Sequence, residues 1–211
     1  MKKMMISAIA LMAFGFANAQ TDVKFGAKGG INFSTLTGDT EGASSRIGFT
    51  IGGFAEFKLS DKFVVQPEVL YSGQGASYSY SESGPGYAFV EEGDVNLGYI
   101  LVPVMAKYYV IDNLSLEFGP QVGFLIAANQ KGDYVETYEG VTFAQSFDED
   151  IKDEINSVDF GLNFGAGYDF TDNMTAGLRY NLGISNVYKT SEGSDYESKN
   201  SVFSLTFGYK F

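Results

Sequence analysis

Large apolar residues recur at every second position along most of this chain, with polar residues between them. From Val23 to Ser34, Val23, Phe25, Ala27, Ile31 and Phe33 share one face, and Lys24, Lys28, Asn32 and Ser34 the other. Further on, Ile47, Phe49, Ile51, Ala55 and Phe57 oppose Thr50, Glu56 and Lys58. Val158, Phe160, Leu162, Phe164, Ala166 and Tyr168 oppose Asp159 and Asn163. Met174, Ala176, Leu178, Tyr180, Leu182 and Ile184 are set against Thr175, Arg179, Asn181 and Ser185. Period two is the mark of a strand with two unlike faces, and helical periodicity is hard to find after residue 20.

The pattern predicts eight strands, over 23–36, 46–59, 63–80, 94–110, 114–128, 158–170, 174–189 and 200–211. Ser60-Asp61-Lys62, Ile111-Asp112-Asn113 and Thr171-Asp172-Asn173 read as tight turns with Asp/Asn chemistry. The other connections, 37–45, 81–93, 129–157 and 190–199, read as longer polar loops. An even strand number with short and long connections in alternation sorts the turns to one end and the loops to the other. The expected fold is therefore all-β: an eight-stranded antiparallel up-and-down transmembrane β-barrel, with short periplasmic turns and long external loops.

Alternation does not say which face is inside. A soluble ligand-carrying barrel is apolar within, and a membrane barrel is apolar without. Phe57, Phe63, Tyr71, Tyr108, Phe170, Tyr209 and Phe211 fall near strand ends, where aromatic girdles meet the two bilayer interfaces. The strands also meet or exceed the roughly 9–11 residues that a tilted strand needs to cross. The last ten residues, VFSLTFGYKF, then read as the closing strand. Phe203, Leu205, Phe207, Tyr209 and Phe211 would face lipid, and Ser204, Thr206, Gly208 and Lys210 the lumen. The terminal aromatics Phe207, Tyr209 and Phe211 resemble the signal read by the barrel assembly machinery, the partner expected during biogenesis.

Composition narrows the chemistry. Twenty-six glycines, 4 prolines, 19 Phe and 14 Tyr suit strands broken by tight bends. Lys2 and Lys3, the apolar run Met4 to Phe16 and Ala17-Asn18-Ala19 read as a signal peptide over 1–19, cleaved before Gln20, with one barrel domain over 20–211. Without those two lysines, 12 basic residues stand against 26 acidic ones, a formal charge of −14. That charge argues against nucleic acid as a partner. The chain has no Cys, hence no disulfide framework, and no His, which removes the usual general base, metal imidazole and triad member. The expectation is a monomer that is not an enzyme and holds no cofactor or metal. It contacts outer-membrane lipid and possesses loops for an envelope protein partner.

Following the alternation, Lys28, Glu56, Glu68, Lys107, Glu117, Asp159 and Arg179 point into the lumen as a candidate charge network. An eight-stranded barrel has an interior just wide enough for side chains to fill, so paired charges there make a plug. The competing reading is a narrow channel for ions or small solutes. In the acidic stretch from Lys131 to Glu154, the spacing Asp148-Glu-Asp-Ile-Lys-Asp-Glu154 lacks the central Gly and terminal Glu of a calcium loop, and the stretch reads as solvated. Tyr78 to Tyr87, rich in Ser, Tyr and Gly, has the composition of an adaptable binding loop.

Several stretches carry a resemblance through the whole mature chain: Phe25-Gly-Ala-Lys-Gly-Gly-Ile-Asn-Phe-Ser34, Val65-Gln-Pro-Glu-Val-Leu-Tyr-Ser72, Tyr99-Ile-Leu-Val-Pro-Val-Met-Ala-Lys-Tyr108, Phe118-Gly-Pro-Gln-Val-Gly123 and the terminal Phe-Gly-Tyr-Lys-Phe211. Together they resemble the PorT-like outer-membrane β-barrel family of the Bacteroidetes. The resemblance implies an eight-stranded barrel in the outer membrane of a Gram-negative bacterium, with a role at the cell envelope such as a subunit of a secretion complex. Leu101 departs from the pattern, since an acidic residue is expected before that Val-Pro step.

Overall fold

A computed structural model describes residues 23–40, 42–190 and 195–211, so the proposed signal peptide over 1–19 lies outside the described residues. Ten strands form: β1 (Val23–Gly38), β2 (Ala43–Ser44), β3 (Arg46–Lys58), β4 (Phe63–Gly84), β5 (Tyr87–Ile111), β6 (Leu114–Tyr138), β7 (Val141–Asp150), β8 (Val158–Asp169), β9 (Met174–Gly183) and β10 (Ser198–Lys210). Eight of them close a ring in the order β1-β3-β4-β5-β6-β8-β9-β10, with every pairing antiparallel. The ring closes through β1 and β10, from Gly26 opposite Lys210 to Gly38 opposite Ser198. β2 and β7 lie off it, paired to β4 and β6 respectively.

Side chains are inverted relative to a soluble protein. Phe25, Ile47 and Phe207 are 63, 67 and 60 % exposed, while Glu68 and Lys107, on the opposite face of their strands, are each 2 % exposed. The outward apolar residues form a belt around the ring, running for instance from Phe25 to Phe33 on β1 and from Phe203 on β10 to the adjoining Phe211. Aromatic pairs lie on it, including Phe63–Tyr108, Phe118–Phe164 and Tyr209–Phe211. A water-facing exterior of this kind would be unstable, which excludes the soluble ligand-carrying barrel.

Two of the long polar loops expected from the sequence are instead β-structure. The 81–93 connection reduces to a two-residue turn, Pro85-Gly86, with β4 and β5 paired out to Gly84 opposite Tyr87. The 129–157 connection holds the end of β6, the turn Glu139-Gly140 and the whole of β7. Both Glu139 and Gly140 have positive φ, 47° and 84°, the type I′ geometry whose twist matches that of the flanking strands. The backbone ladder outlasts the membrane belt because the polar side chains on these segments do not prevent pairing. β4, β5, β6 and β7 therefore leave the ring as one continuous four-stranded blade.

Where ring becomes blade, the sheet is irregular. Gly75 has φ +129°, which a side chain would strain, and its Cβ position is blocked by the Val95 carbonyl of β5. On β6 an extra residue, Ile126, falls between Leu125 opposite Tyr99 and Ala127 opposite Gly98. This bulge switches which β6 positions face inward, from odd numbers below it to even numbers above. β9 stops at Gly183 rather than near 189, and the chain after it turns across the mouth of the ring.

Candidate functional site

The ring interior is stratified. At the end with the short turns lies a charged layer. Arg179 on β9 donates from Nη1 to Glu68 Oε2 and from Nη2 to Glu68 Oε1 and Glu117 Oε2, each at 2.9 Å. Lys28 reaches the same Glu68 at 2.6 Å. Lys107 donates to Glu56 at 2.8 Å and lies 3.6 Å from Glu117. Six of the seven residues proposed from the sequence thus meet in one connected set.

Asp159, the seventh, also faces inward but sits towards the opposite mouth, where it accepts a hydrogen bond from Ser185 Oγ at 2.9 Å. It joins no ion pair among the described residues, so it does not belong to the network. Two residues outside the proposed set do. Lys210 bridges Glu56 at 3.1 Å and Asp169 at 3.0 Å, and Asp169 also accepts from the Tyr109 hydroxyl at 2.8 Å. Alternation had placed Lys210 in the lumen, and only its partners were missing. The layer therefore combines Glu56, Glu68, Glu117 and Asp169 with Lys28, Lys107, Arg179 and Lys210. Four negative charges balance four positive ones, as burial demands.

Above it lies a neutral layer of amides and hydroxyls. Asn32 donates to Ser72 Oγ at 2.9 Å and accepts from Ser204 Oγ at 2.8 Å. Asn181 donates to Asn163 at 3.1 Å, and Asn163 to Gln121 at 3.3 Å. The free space among the charged and neutral layers is about 50 Å³, room for a few water molecules and no solute.

The far mouth is closed by an apolar cap. Leu97, Tyr99 and Leu101 from β5 pack with Ile151, Ile155 and Val187, which come from two connections laid over the opening. Leu101 is buried in this cluster, which explains the departure noted above, since a carboxylate there would have no partner. The two connections are clipped together by Asn156 N–H to Val187 O at 2.8 Å and Lys189 N–H to Glu154 O at 2.8 Å. The Asn156 side chain donates to Asn186 O at 2.9 Å and Tyr188 O at 3.1 Å. Nothing in the alternating pattern marks these residues as a cap: Ile151 and Ile155 lie in a stretch without periodicity, and Val187 falls within the expected strand 174–189 but past Gly183, where the strand ends.

Beyond the cap stands the blade. Its sheet side away from the ring axis is small and polar, with Ser77 hydrogen-bonded to Asp94 and Lys131 paired to Asp148 at 3.0 Å. Asn129 also donates to Asp148, and with Lys131 it holds that carboxyl below the usual aspartate range. No group of three or more Cys, His, Asp or Glu residues suited to a metal ion occurs among the described residues.

Similar architecture occurs in solved structures. Neisserial surface protein A shares 13 % identity, with 90 % of this chain and 99 % of that chain covered, at a TM-score of 0.52, a likeness of fold. Ail, the attachment invasion locus protein of Yersinia pestis, shares 14 % identity over 90 % of this chain and 99 % of its own, at a TM-score of 0.46. OprG from Pseudomonas aeruginosa shares 12 % over 92 % and 98 %, at 0.40. No curated protein sequence matches the chain. Its residues 18–189 match the model of the outer membrane protein beta-barrel domain, and with an apolar belt around a polar, charge-balanced interior the chain is an outer-membrane protein belonging to that family.

Proposed function

We propose that this protein is a sealed outer-membrane barrel whose work is done by its external blade, in an interaction role at the cell envelope, and that it conducts no solute. The observation that carries this reading is the continuous filling of the ring, from the ion pairs around Arg179 through the amide layer to the apolar cap. A narrow ion channel would need a connected water path, and both the compact charged layer and the apolar cap oppose one. The short turns face the periplasm and the blade faces outward, following the usual arrangement of bacterial barrels.

On the same reading the protein is monomeric and not an enzyme. It holds no cofactor, and its chain contains no histidine to serve as a general base. Phe207, Tyr209 and Phe211 act as the assembly signal, consistent with Phe211 following the end of β10 at 75 % exposure. The PorT-like motifs support reading the protein as one of the envelope barrels of the Bacteroidetes, where a subunit of a larger apparatus is one way to use such a blade. The test is conductance of the purified protein in planar bilayers. A sealed lumen gives no stepwise current at 100 mV, and reproducible steps that vanish on heat denaturation would overturn the reading.

A further inference from the structure

The inner side of the blade carries an ordered arrangement of side chains. Across β4, β5, β6 and β7 the register sets Glu82 opposite Phe89, Phe89 opposite Glu136, and Glu136 opposite Phe143. The next row reads Tyr80, Glu91, Tyr134 and Gln145. Aromatic rings and acceptor side chains thus alternate both across the strands and along them. Phe89 lies between Tyr80 and Tyr134, with ring centroids 6.2 and 6.1 Å away.

The face is open to water, with Tyr80, Tyr138 and Phe143 54, 59 and 63 % exposed. It bears no Lys or Arg on any of the four strands: the one basic residue of the blade, Lys131, is on the other side, paired to Asp148. Glu82 and Glu91 accept hydrogen bonds from the hydroxyls of Tyr80 and Tyr78, at 3.2 and 2.9 Å, and keep their charge uncompensated. Cations are attracted to such a surface twice over, by ring faces and by the carboxylates between them.

The blade also ends in an open edge. Among the described residues β7 pairs only with β6, and its sequence, VTFAQSFDED, contains neither the Pro nor the Lys that blunts such edges. Because the Glu139-Gly140 turn is a two-residue hairpin, Tyr138 and Val141 form the first hydrogen-bonded pair, and pairs recur at Glu136–Phe143 and Tyr134–Gln145. Backbone groups of Thr142, Ala144 and Ser146 therefore point to the free side. A row of unfilled amides and carbonyls is complementary to another polypeptide backbone. The acidic end, Asp148-Glu149-Asp150, disfavours a second copy of this acidic chain.

We infer that the blade binds an extended basic polypeptide segment, which adds to β7 as a fifth strand and lays Lys or Arg side chains over the inner aromatic and acidic face. The inference rests on the blade being the working part of the protein, and it names the chemistry of the partner.

The test uses the full barrel in nanodiscs and a fluorescent ten-residue peptide of alternating Lys and Val, read by anisotropy. The comparison peptides are its Glu-Val counterpart and a Lys-Val peptide N-methylated on its backbone. Saturable binding of the basic peptide is expected, weakened at least tenfold by E82Q/E136Q, by backbone methylation and by Ala144→Pro. That proline deletes an edge N–H and no bond to β6, so the hairpin remains paired. Asp133→Asn, a loss of charge on the outer side, leaves binding unchanged.

Equal binding of the acidic peptide, equal weakening by Asp133→Asn, or indifference to both Ala144→Pro and methylation would overturn the inference. So would a preference for neutral oligosaccharide, or peptide-free dimers. Protection of the blade from protease, compared across variants, keeps misfolding apart from lost binding. Conductance is read on the same preparations: current with retained peptide binding refutes the sealed lumen alone, and a closed lumen without binding refutes the basic-segment inference alone.

Discussion

Replacing Arg179 by Met keeps a flexible unbranched side chain and removes a charge from the centre of a balanced set. The guanidinium makes three charge-assisted hydrogen bonds, two to Glu68 and one to Glu117, all at 2.9 Å. At about 1.5–3 kcal/mol each, the gross loss is roughly 4–9 kcal/mol. Part of it is recovered, because Glu68 keeps Lys28 at 2.6 Å and Glu117 keeps Lys107 at 3.6 Å. One buried negative charge is nevertheless left over, and breaking a buried pair by removing one partner costs about 3–5 kcal/mol. The expected destabilisation is therefore about 3–5 kcal/mol, roughly two to four orders of magnitude in the folding equilibrium constant. Urea unfolding of the barrel in lipid vesicles, followed by the gel-mobility difference between folded and unfolded forms, measures it. R179M/E117Q restores four-to-four neutrality as three against three, and should recover at least half of the loss. If R179M lies within about 0.5 kcal/mol of the parent, which is the range of an ordinary surface substitution, the network is not the buried, mutually dependent unit described here.

The remaining predictions address the belt, the cap and the end of the chain. Leu178→Arg, at the middle of the outward face of β9, should cost about 2–4 kcal/mol in the same vesicle assay, as expected for a cation at the bilayer midplane. Leu97→Ala, in the apolar cap, should cost about 2–5 kcal/mol and leave membrane insertion intact, as flotation of vesicles would show. Deleting Phe211 should lower the assembled yield in outer-membrane fractions, with the unfolding midpoint of the assembled fraction unchanged. A shifted midpoint with full yield would mean that the residue only packs at the interface.

Much of this architecture could be read from period-two spacing, because a strand has only two faces and lipid rewards a consistent one. The alternation of Phe25, Ala27, Ile31 and Phe33 with Lys28, Asn32 and Ser34 fixed which side of β1 holds which chemistry. It worked equally for Lys107 and Glu117, which lie in regular parts of β5 and β6. It had less to say about the blade. There the polar residues between Tyr78 and Glu92 resembled a loop, although Pro85-Gly86 and Glu139-Gly140 were turn signals within reach of inspection. The odd-to-even switch at Ile126 was beyond it, since a bulge shows only as a broken register between two strands.

The amino-acid sequence by itself determined the class of fold, the inverted polarity and the identities of most buried charges, since each follows from alternation along single strands and from the cost of unpaired charge. Tertiary structure alone decided the pairings. Arg179 and Glu68 are 111 residues apart, Asp159 faces inward yet lies away from the other ions, and Asp169 completes the balance through Lys210. Likewise Ile151, Ile155 and Val187 become a cap only when two aperiodic connections cross the same opening. Local spacing fixes which face a side chain occupies, whereas its partner depends on strand order and register, which are settled only when the ring closes.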